Sequence, residues 1–228
     1  MKPTRVVTID GPSGAGKSTV ARELARQLGW SMLDTGSMYR VVTWAALQQN
    51  VDLNDPEALG RLAASLEARF DEGRVWVGED EVSTKIRDPE ISRKSGFISK
   101  ARPVREILAK WQKHEATKRN IVTEGRDQGT IIFPDAIVKF FLTATDDERA
   151  SRRHRELIDK GHDISLDQVL ADQKERDLRD EQNALAPMVP ANDAKIIDSS
   201  KLTFEQVLEV MLAEIDTKIS RAEQSNAS

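Results

Sequence analysis

The segment Gly11 to Thr19 constrains the fold of this chain more than any other. Its sequence, GPSGAGKST, satisfies the pattern G-x-x-x-x-G-K-[ST]. The apolar run Arg5 to Asp10 ends directly before it, and apolar residues at helical spacing follow it as far as Leu28, with Gly29 as the predicted end. A buried strand, a glycine-rich loop and a helix in this order predict one βα unit of a parallel sheet.

The chemistry of such a loop follows from its residue types. Glycines let several backbone N–H groups converge on phosphate oxygens, and the N-terminus of the following helix adds positive potential. Lys17 can bridge the β- and γ-phosphates, and the Ser18 hydroxyl can ligate Mg²⁺. We therefore expect ATP to be bound by Gly11, Pro12, Ser13, Gly14, Ala15, Gly16, Lys17, Ser18 and Thr19.

The rest of the chain alternates short β-branched runs with longer helical periods, which predicts an α/β fold. Further strands are predicted at Trp30–Leu33, Asn120–Glu124, Ala136–Leu142 and Ala194–Asp198. Helix starts are predicted at Asp55-Pro56, Asp88-Pro89, Ser165 with Gln168, and Thr203 with Gln206. An apolar stripe within residues 203–219 predicts the packing face of a terminal helix.

Two segments interrupt this alternation. Residues 60–103 contain a helix and then a predicted hairpin, with strands Arg74–Val77 and Val82–Lys85. Residues 146–187 form two predicted helices that are dense in charge. Neither segment has the pattern of a buried core.

Composition limits the classes of partner and compartment. The chain has 228 residues, a net charge of −4 and no cysteine, so it has no global field for nucleic acid and no thiolate chemistry. No apolar run approaches the roughly 18 residues of a membrane span. We expect a cytoplasmic monomer that binds neither a nucleic acid polymer nor a membrane.

A carboxylate is needed beside the loop if Mg²⁺ is bound there. Glu124 ends a predicted strand, and ligands of open α/β sheets bind at the carboxyl ends of the strands. We therefore predict a metal site formed by Ser18 and Glu124, with Asp10 as the weaker alternative to Glu124.

The cations elsewhere in the sequence indicate what the triphosphate is used for. No asparagine is followed by lysine, so the Asn-Lys-x-Asp pattern of guanine-reading switches is absent from the sequence. Transfer to an anionic acceptor needs cations away from the donor loop. Candidates are Arg40, Arg105, Arg126, Arg176 and Arg179.

Several blocks together resemble the bacterial cytidylate kinase family. Besides the loop, they are LDTGSMYR at Leu33–Arg40, the Val104-Arg105-Glu106 block, EGRDQGT at Glu124–Thr130 and KERDLRD at Lys174–Asp180. The resemblance spans residues 5 to about 220 in consistent order. It implies ATP-dependent phosphorylation of CMP and dCMP by direct in-line transfer.

The resemblance also implies an organisation of the chain and of its site. It implies a P-loop, three-layer α/β/α core with a five-stranded parallel sheet (residues 1–59, 104–150 and 188–228), a monophosphate-binding insert (60–103) and a helical lid (151–187). The implied substrate-binding residues are Thr35, Tyr39, Arg40, Arg105, Arg126, Asp127, Arg176 and Asp180. The expected catalytic cations are Lys17, Arg126, Arg152 and Arg153. Most of the arginines around the last two, among them Arg149, are expected on a solvated face.

Two departures from the family pattern leave alternatives open. Asn183 stands where the family has a further arginine, and Gly96 stands where it has a base-contacting serine, with Ser95 one residue away. A UMP-tolerant kinase is therefore an alternative. A small-metabolite kinase of the shikimate or gluconate type is another, and a nucleotide-binding switch or ATPase subunit is the alternative from a different class.

Overall fold

The predicted strand, loop and helix open the chain. In a computed structural model, which describes residues 4–71, 73–159 and 161–225, β1 is Val6–Asp10 and α1 is Lys17–Leu28. Gly29 ends α1 in the left-handed conformation, with φ of 66°, as the sequence predicts. The ends of the predicted core, at residues 1–3 and 226–228, and positions 72 of the insert and 160 of the lid lie outside the described residues.

The chain divides into two units, each with its own contacts. The first unit combines Met1–Trp30 with Ile121–Ser228, and the second is Ser31–Asn120. The remaining elements of the first unit are β6 (Ile121–Gly125), β7 (Val138–Thr143), α6 (Asp146–Asp159), α7 (Leu166–Glu181), β8 (Lys195–Asp198) and α8 (Phe204–Ser225). Those of the second unit are β2 (Ser31–Asp34), α2 (Thr35–Gln48), α3 (Pro56–Ser65), β3 (Ala68–Asp71), β4 (Arg74–Val77), β5 (Asp80–Glu81), α4 (Pro89–Lys100) and α5 (Arg102–Lys118).

The five-stranded parallel sheet of the predicted α/β fold is confirmed. Four of its strands belong to the first unit, in the order β6-β1-β7-β8. β1 pairs in parallel with β6 and β7, and β7 pairs in parallel with β8. All four strands therefore end at the same edge, where the phosphate loop follows β1 and Arg126 follows β6. The fifth strand, β2, begins the second unit.

The predicted helix starts are confirmed by their capping hydrogen bonds. The Asp55 carboxylate accepts from the backbone N–H groups of Glu57 and Ala58 at 3.0 and 2.9 Å. The carboxylate of Asp88 and the hydroxyl of Ser165 cap α4 and α7 in the same way. At α8, Thr203 and Gln206 exchange two bonds, which is the reciprocal capping box. The packing face of α8 is buried as expected at Val207, Leu208, Met211 and Ile215.

The predicted hairpin is only half right. Its first strand, Arg74–Val77, is β4, but the second strand is Asp80–Glu81 rather than Val82–Lys85. Val77 pairs with Asp80, so the turn has two residues and begins at Gly78, whose φ is 59°. The predicted four-residue turn was too long, and Lys85–Arg87 forms a 3₁₀ turn instead. Strand β3, which completes the small antiparallel sheet, was not predicted.

No helix among the described residues combines the length and the apolar composition that crossing a membrane requires.

Candidate functional site

The phosphate loop has the backbone that its glycines predict. Gly11, Gly14 and Gly16 have φ values of 140°, 78° and 91°, which side-chain-bearing residues rarely adopt. A Cβ on Gly11 would lie 2.0 Å from the carbonyl oxygen of Leu142 in β7. Glycine is therefore required where the chain leaves β1. Because α1 begins directly after the loop, its unpaired N–H groups face the same region.

Lys17 lies buried at the start of α1, and its Nζ donates to the carbonyl oxygen of Pro12 at 2.7 Å. Burial and the positive charges of Arg126 and Arg176 together lower the pKa of Lys17 to about 7, against the opposing effect of Glu124. These three cations thus lie near enough to one another to repel at the carboxyl edge of the sheet. Such a gathering of positive charge suits a polyanionic ligand.

Ser18 and Glu124, the two predicted metal ligands, are brought together. The Ser18 hydroxyl donates to Oε1 of Glu124 at 2.9 Å, across 106 positions of sequence. A hydroxyl and a carboxylate are oxygen ligands of the kind that Mg²⁺ prefers, with phosphate oxygens and water completing its coordination. Among residues 4–71, 73–159 and 161–225, no three His, Cys, Asp or Glu side chains form a protein-only metal cluster.

Asp10, the weaker alternative, has its carboxylate engaged elsewhere. Its Oδ1 accepts from the backbone N–H of Gln128 at 2.9 Å, and its Oδ2 accepts from that of Gly129 at 2.7 Å. Burial raises the pKa of Asp10 to about 6, although these two amides lower it. Asp10 therefore holds the backbone that follows β6.

Arg126 and Asp180, two predicted substrate-binding residues, form an ion pair across the first unit. Nε of Arg126 donates to Oδ2 of Asp180 at 2.7 Å. Burial lowers the pKa of Arg126, but the carboxylates of Asp180, Glu124 and Asp177 together more than offset this effect, so the pKa is raised. The pair joins the segment after β6 to α7. The adjacent Asp127 is buried at the start of a short helical turn, Gln128–Ile132.

The sequence did not identify Arg149 as part of this region, and its expected place on a solvated face is wrong. Arg149 is 4% exposed, and its Nη1 donates to the Ser13 carbonyl oxygen of the loop at 2.9 Å. The same nitrogen donates to Asp177 of α7. A Cβ on Gly14 would lie 2.9 Å from Oε1 of Gln173, so α7 packs directly on the loop. The charge-rich sequence of α6 gives no signal of this burial, which the packing of α7 against the loop produces.

Arg152 and Arg153, the two predicted catalytic cations of the lid, form hydrogen bonds outside the phosphate loop. Arg152 donates to the Ser199 hydroxyl and carbonyl oxygens at 3.0 and 2.8 Å, beyond the end of β8. Arg153 donates to Glu156 of its own helix at 2.7 Å, and both side chains are slightly less than half exposed.

The second unit contains the other predicted substrate-binding residues. Asp34 caps α2 by accepting from the N–H of Ser37 at 3.0 Å, and Nη2 of Arg40 donates to Oδ2 of Asp34 at 3.3 Å. Nε of Arg40 is buried without a hydrogen-bond partner among the described residues. The Arg105 guanidinium lies 5.8 Å from the centre of the Tyr39 ring. Thr35, the first residue of α2, is buried.

The two departures from the family pattern also have defined surroundings. Ser95, beside Gly96, donates its hydroxyl proton to the Ser92 carbonyl oxygen at 2.8 Å, within its own helix. Oδ1 of Asn183 accepts from the backbone N–H of Leu185 at 3.1 Å. Each of these polar groups thus has a local partner.

Comparison with known proteins identifies one family. The sequence profile described as cytidylate kinase matches residues 7–217. A cytidylate kinase from Shewanella halifaxensis (strain HAW-EB4) is 45% identical over 221 residues, which cover 94% of this chain and 96% of that protein. A cytidylate kinase from Klebsiella pneumoniae (strain 342) is 45% identical over 222 residues, which cover 95% of this chain and 97% of that protein. A solved gluconokinase from Sinorhizobium meliloti 1021 matches with a TM-score of 0.46 and 16% identity, and the match covers 98% of this chain and 97% of that protein. A similarity this low says nothing about the substrate.

Proposed function

Because this chain belongs to the cytidylate kinase family, we propose that it transfers the γ-phosphoryl group of ATP to CMP and dCMP. The products are ADP with CDP or dCDP. The observation that carries the proposal is the gathering of Lys17, Arg126 and Arg176 beside the phosphate loop. Family membership does not favour the small-metabolite kinase, the switch or the ATPase subunit.

The donor side of the reaction belongs to Gly11–Thr19. Its backbone N–H groups and the N-terminus of α1 hold the phosphates of ATP. The Lys17 ammonium leaves the Pro12 carbonyl to contact the β- and γ-phosphates. Ser18 and Glu124 would hold Mg²⁺, which would supply positive charge between the phosphates.

The acceptor side follows from the residues that match the family. Thr35, Tyr39, Arg40 and Arg126 are assigned to the acceptor phosphate, Arg105 and Asp127 to the cytosine, and Arg176 with Asp180 to the sugar. The unpartnered Nε of Arg40 supports its assignment, since a buried donor without a partner is costly. A carboxylate can accept from the exocyclic amine of cytosine, as in DNA readout.

The reaction needs positioning and charge stabilisation rather than a covalent intermediate. The acceptor phosphate oxygen attacks the γ-phosphorus in line as the bond to the ADP oxygen breaks, and the cations offset the charge on the transferred group. Residues 151–187 are proposed to close as a lid, with Arg152 and Arg153 leaving Ser199 and Glu156 for the phosphates. Closure would exclude water, which would otherwise hydrolyse ATP. Residues 60–103 remain the proposed monophosphate-binding insert.

The test of the proposed function is an acceptor panel. Initial rates with ATP are measured with CMP, dCMP, UMP, AMP and shikimate as acceptors, each over the same series of concentrations. CMP and dCMP should give the highest kcat/KM. Equal rates with UMP would establish the UMP-tolerant alternative that Gly96 and Asn183 leave open, whereas rates with CMP no higher than those with shikimate would refute the assignment.

Arg126→Ala separates acceptor from donor binding. We expect kcat/KM for CMP to fall by about a hundredfold, since one preorganised charge on the transferred group is lost, while the Kd of ATP changes less than about threefold. The exposed Arg26, which pairs with Glu23 on α1, provides the control: Arg26→Ala should leave both values unchanged. An equal loss of ATP affinity in Arg126→Ala would contradict the assignment.

The remaining proposals concern the setting of the enzyme. The partners are the nucleotide substrates, and a monomer in the cytoplasm, without nucleic acid polymer or membrane, remains our prediction. Sedimentation equilibrium with and without nucleotides measures the oligomeric state.

A further inference from the structure

The carboxylate of Asp10 is placed between the donor loop and the segment that carries Arg126 and Asp127. Asp10 is the last residue of β1, and Gly11 begins the loop. Its side chain is turned away from solvent, at 3% exposure. Each of its two oxygens accepts from one of two successive backbone N–H groups, those of Gln128 and Gly129.

The backbone at Gly129 approaches Asp10 as closely as a glycine allows. A Cβ there would lie 2.9 Å from the Thr8 hydroxyl oxygen, 3.2 Å from Cδ of Lys139 and 3.3 Å from Oδ2 of Asp10. Contacts below about 3.4 Å require the neighbour to move, and here the neighbours are buried. Glycine therefore lets the chain reach the carboxylate, and the carboxylate fixes the chain.

Gln128 is held from its side chain as well. Its Oε1 accepts from the Thr123 hydroxyl at 2.9 Å in the buried interior of the sheet. A Cβ on Gly125 would lie 2.7 Å from Cγ of Gln128. Arg126 and Asp127 thus lie between two fixed points, β6 and the Asp10-bound amides, which restricts the directions their side chains can take.

We propose that Asp10 is a positioning residue for the acceptor, since it fixes the backbone of Gln128 and Gly129 and thereby the directions of Arg126 and Asp127. The inference rests on the proposed function of those two residues. It assigns to Asp10 neither a metal ion nor a contact with ATP.

The cost of the arrangement supports a role beyond stability. Burial raises the pKa of the Asp10 carboxyl, and the nearby Asp127 adds to that effect, while Lys17 opposes it. An ionised Asp10 therefore weakens the folded state relative to a neutral group. In compensation, the ionised carboxylate accepts two strong charge-assisted hydrogen bonds from the backbone of Gln128 and Gly129.

The test compares Asp10→Asn with Gly129→Ala. The asparagine keeps one acceptor oxygen but points an N–H donor at a backbone N–H, and the alanine displaces the same segment while leaving Asp10 intact. For both variants we expect the KM of CMP to rise at least tenfold while the KM of ATP changes less than threefold. Hydrogen exchange of the amides within residues 126–132 should become faster in both.

The matched control is Asp55→Asn. Asp55 also accepts from two successive backbone N–H groups, those of Glu57 and Ala58, but it caps α3 in the second unit. Asparagine caps a helix as well as aspartate does, so neither KM should change.

Each outcome decides the inference. Equal changes in both KM values, or a lower melting temperature with both KM values unchanged, would overturn it, because a purely structural role predicts those results. If the wild-type protein did not phosphorylate CMP, the proposed function would fail. The exchange experiment alone would then decide whether Asp10 positions this segment, and unchanged exchange would overturn the inference.

Discussion

Replacing Asp10 by asparagine should change the pH dependence of stability by an amount that the structure sets. Burial raises the pKa of this carboxyl from 3.8 to about 6. The folded protein therefore holds the proton more tightly than the unfolded chain between about pH 4 and pH 6. In that window the contribution of Asp10 to the free energy of unfolding falls as the pH rises, because the folded state must bury its charge.

The difference between the two pKa values, about two, corresponds to about 3 kcal/mol. This cost is absent below about pH 4 and fully present at pH 7. Asparagine does not titrate, so Asp10→Asn lacks it. The free energy of unfolding of the variant minus that of the wild type should rise by about 3 kcal/mol from pH 4 to pH 7.

Urea unfolding followed by circular dichroism at pH 4, 5, 6 and 7 measures this difference. Carboxylates with lowered pKa, such as Glu115 and Glu214, titrate in both proteins and cancel. Asp193→Asn is the control: a hydrogen bond from Lys139 lowers the pKa of Asp193, so the stability that this carboxylate contributes is lost only below about pH 4. The difference in free energy of unfolding between that variant and the wild type should therefore stay nearly constant from pH 4 to pH 7. Parallel profiles for the wild type and Asp10→Asn would refute the reasoning.

Three further predictions follow from buried or paired groups. Arg149→Met should lower the free energy of unfolding by about 3 kcal/mol, because it leaves the buried Asp177 carboxylate without its partner. Adding Asp177→Leu should restore much of this loss, as measured by urea unfolding. A cost below about 1 kcal/mol for Arg149→Met alone would contradict a buried pair. Gln112→Met should raise stability by about 1 kcal/mol, because both amide atoms of Gln112 are buried with no hydrogen-bond partner in the described part of the chain; a lower melting temperature would show that the amide is satisfied. Glu124→Gln should raise the Mg²⁺ concentration for half-maximal activity by about tenfold, whereas Glu23→Gln on α1, whose carboxylate pairs with Arg26, should not; equal Mg²⁺ requirements would exclude Glu124 as a ligand.

Local features of this fold were readable from the sequence. The strand β1, the glycine loop and α1 depend on residues that are neighbours in the chain, and so do the caps at Asp55 and Ser165. The small sheet of the second unit was less predictable. Its two-residue turn at Gly78 and its first strand depend on pairing between segments, such as Val77 with Ala68, rather than on local pattern.

The site divides in the same way. Residue types and spacing were enough to nominate Lys17, Ser18 and Glu124, and the structure brings Ser18 and Glu124 within 2.9 Å. Arg149 was assigned to the solvent because its helix is rich in charge, but in the structure it lies beneath the loop. Burial depends on which elements pack together, and charge content does not reveal that.

The sequence by itself determined the phosphate loop and the helix starts at Asp55, Asp88, Ser165 and Thr203, because short-range sterics and hydrogen bonding fix them, and its apolar periodicity determined the α/β class. Tertiary structure decided which distant charges meet. Arg126 reaches Asp180 across 54 positions, and Asp10 reaches Gln128 across 118. Such contacts form only when the strands of the sheet have paired and the helices have packed against them. This packing also removes Asp10 and Lys17 from water, which is the largest cause of their pKa shifts.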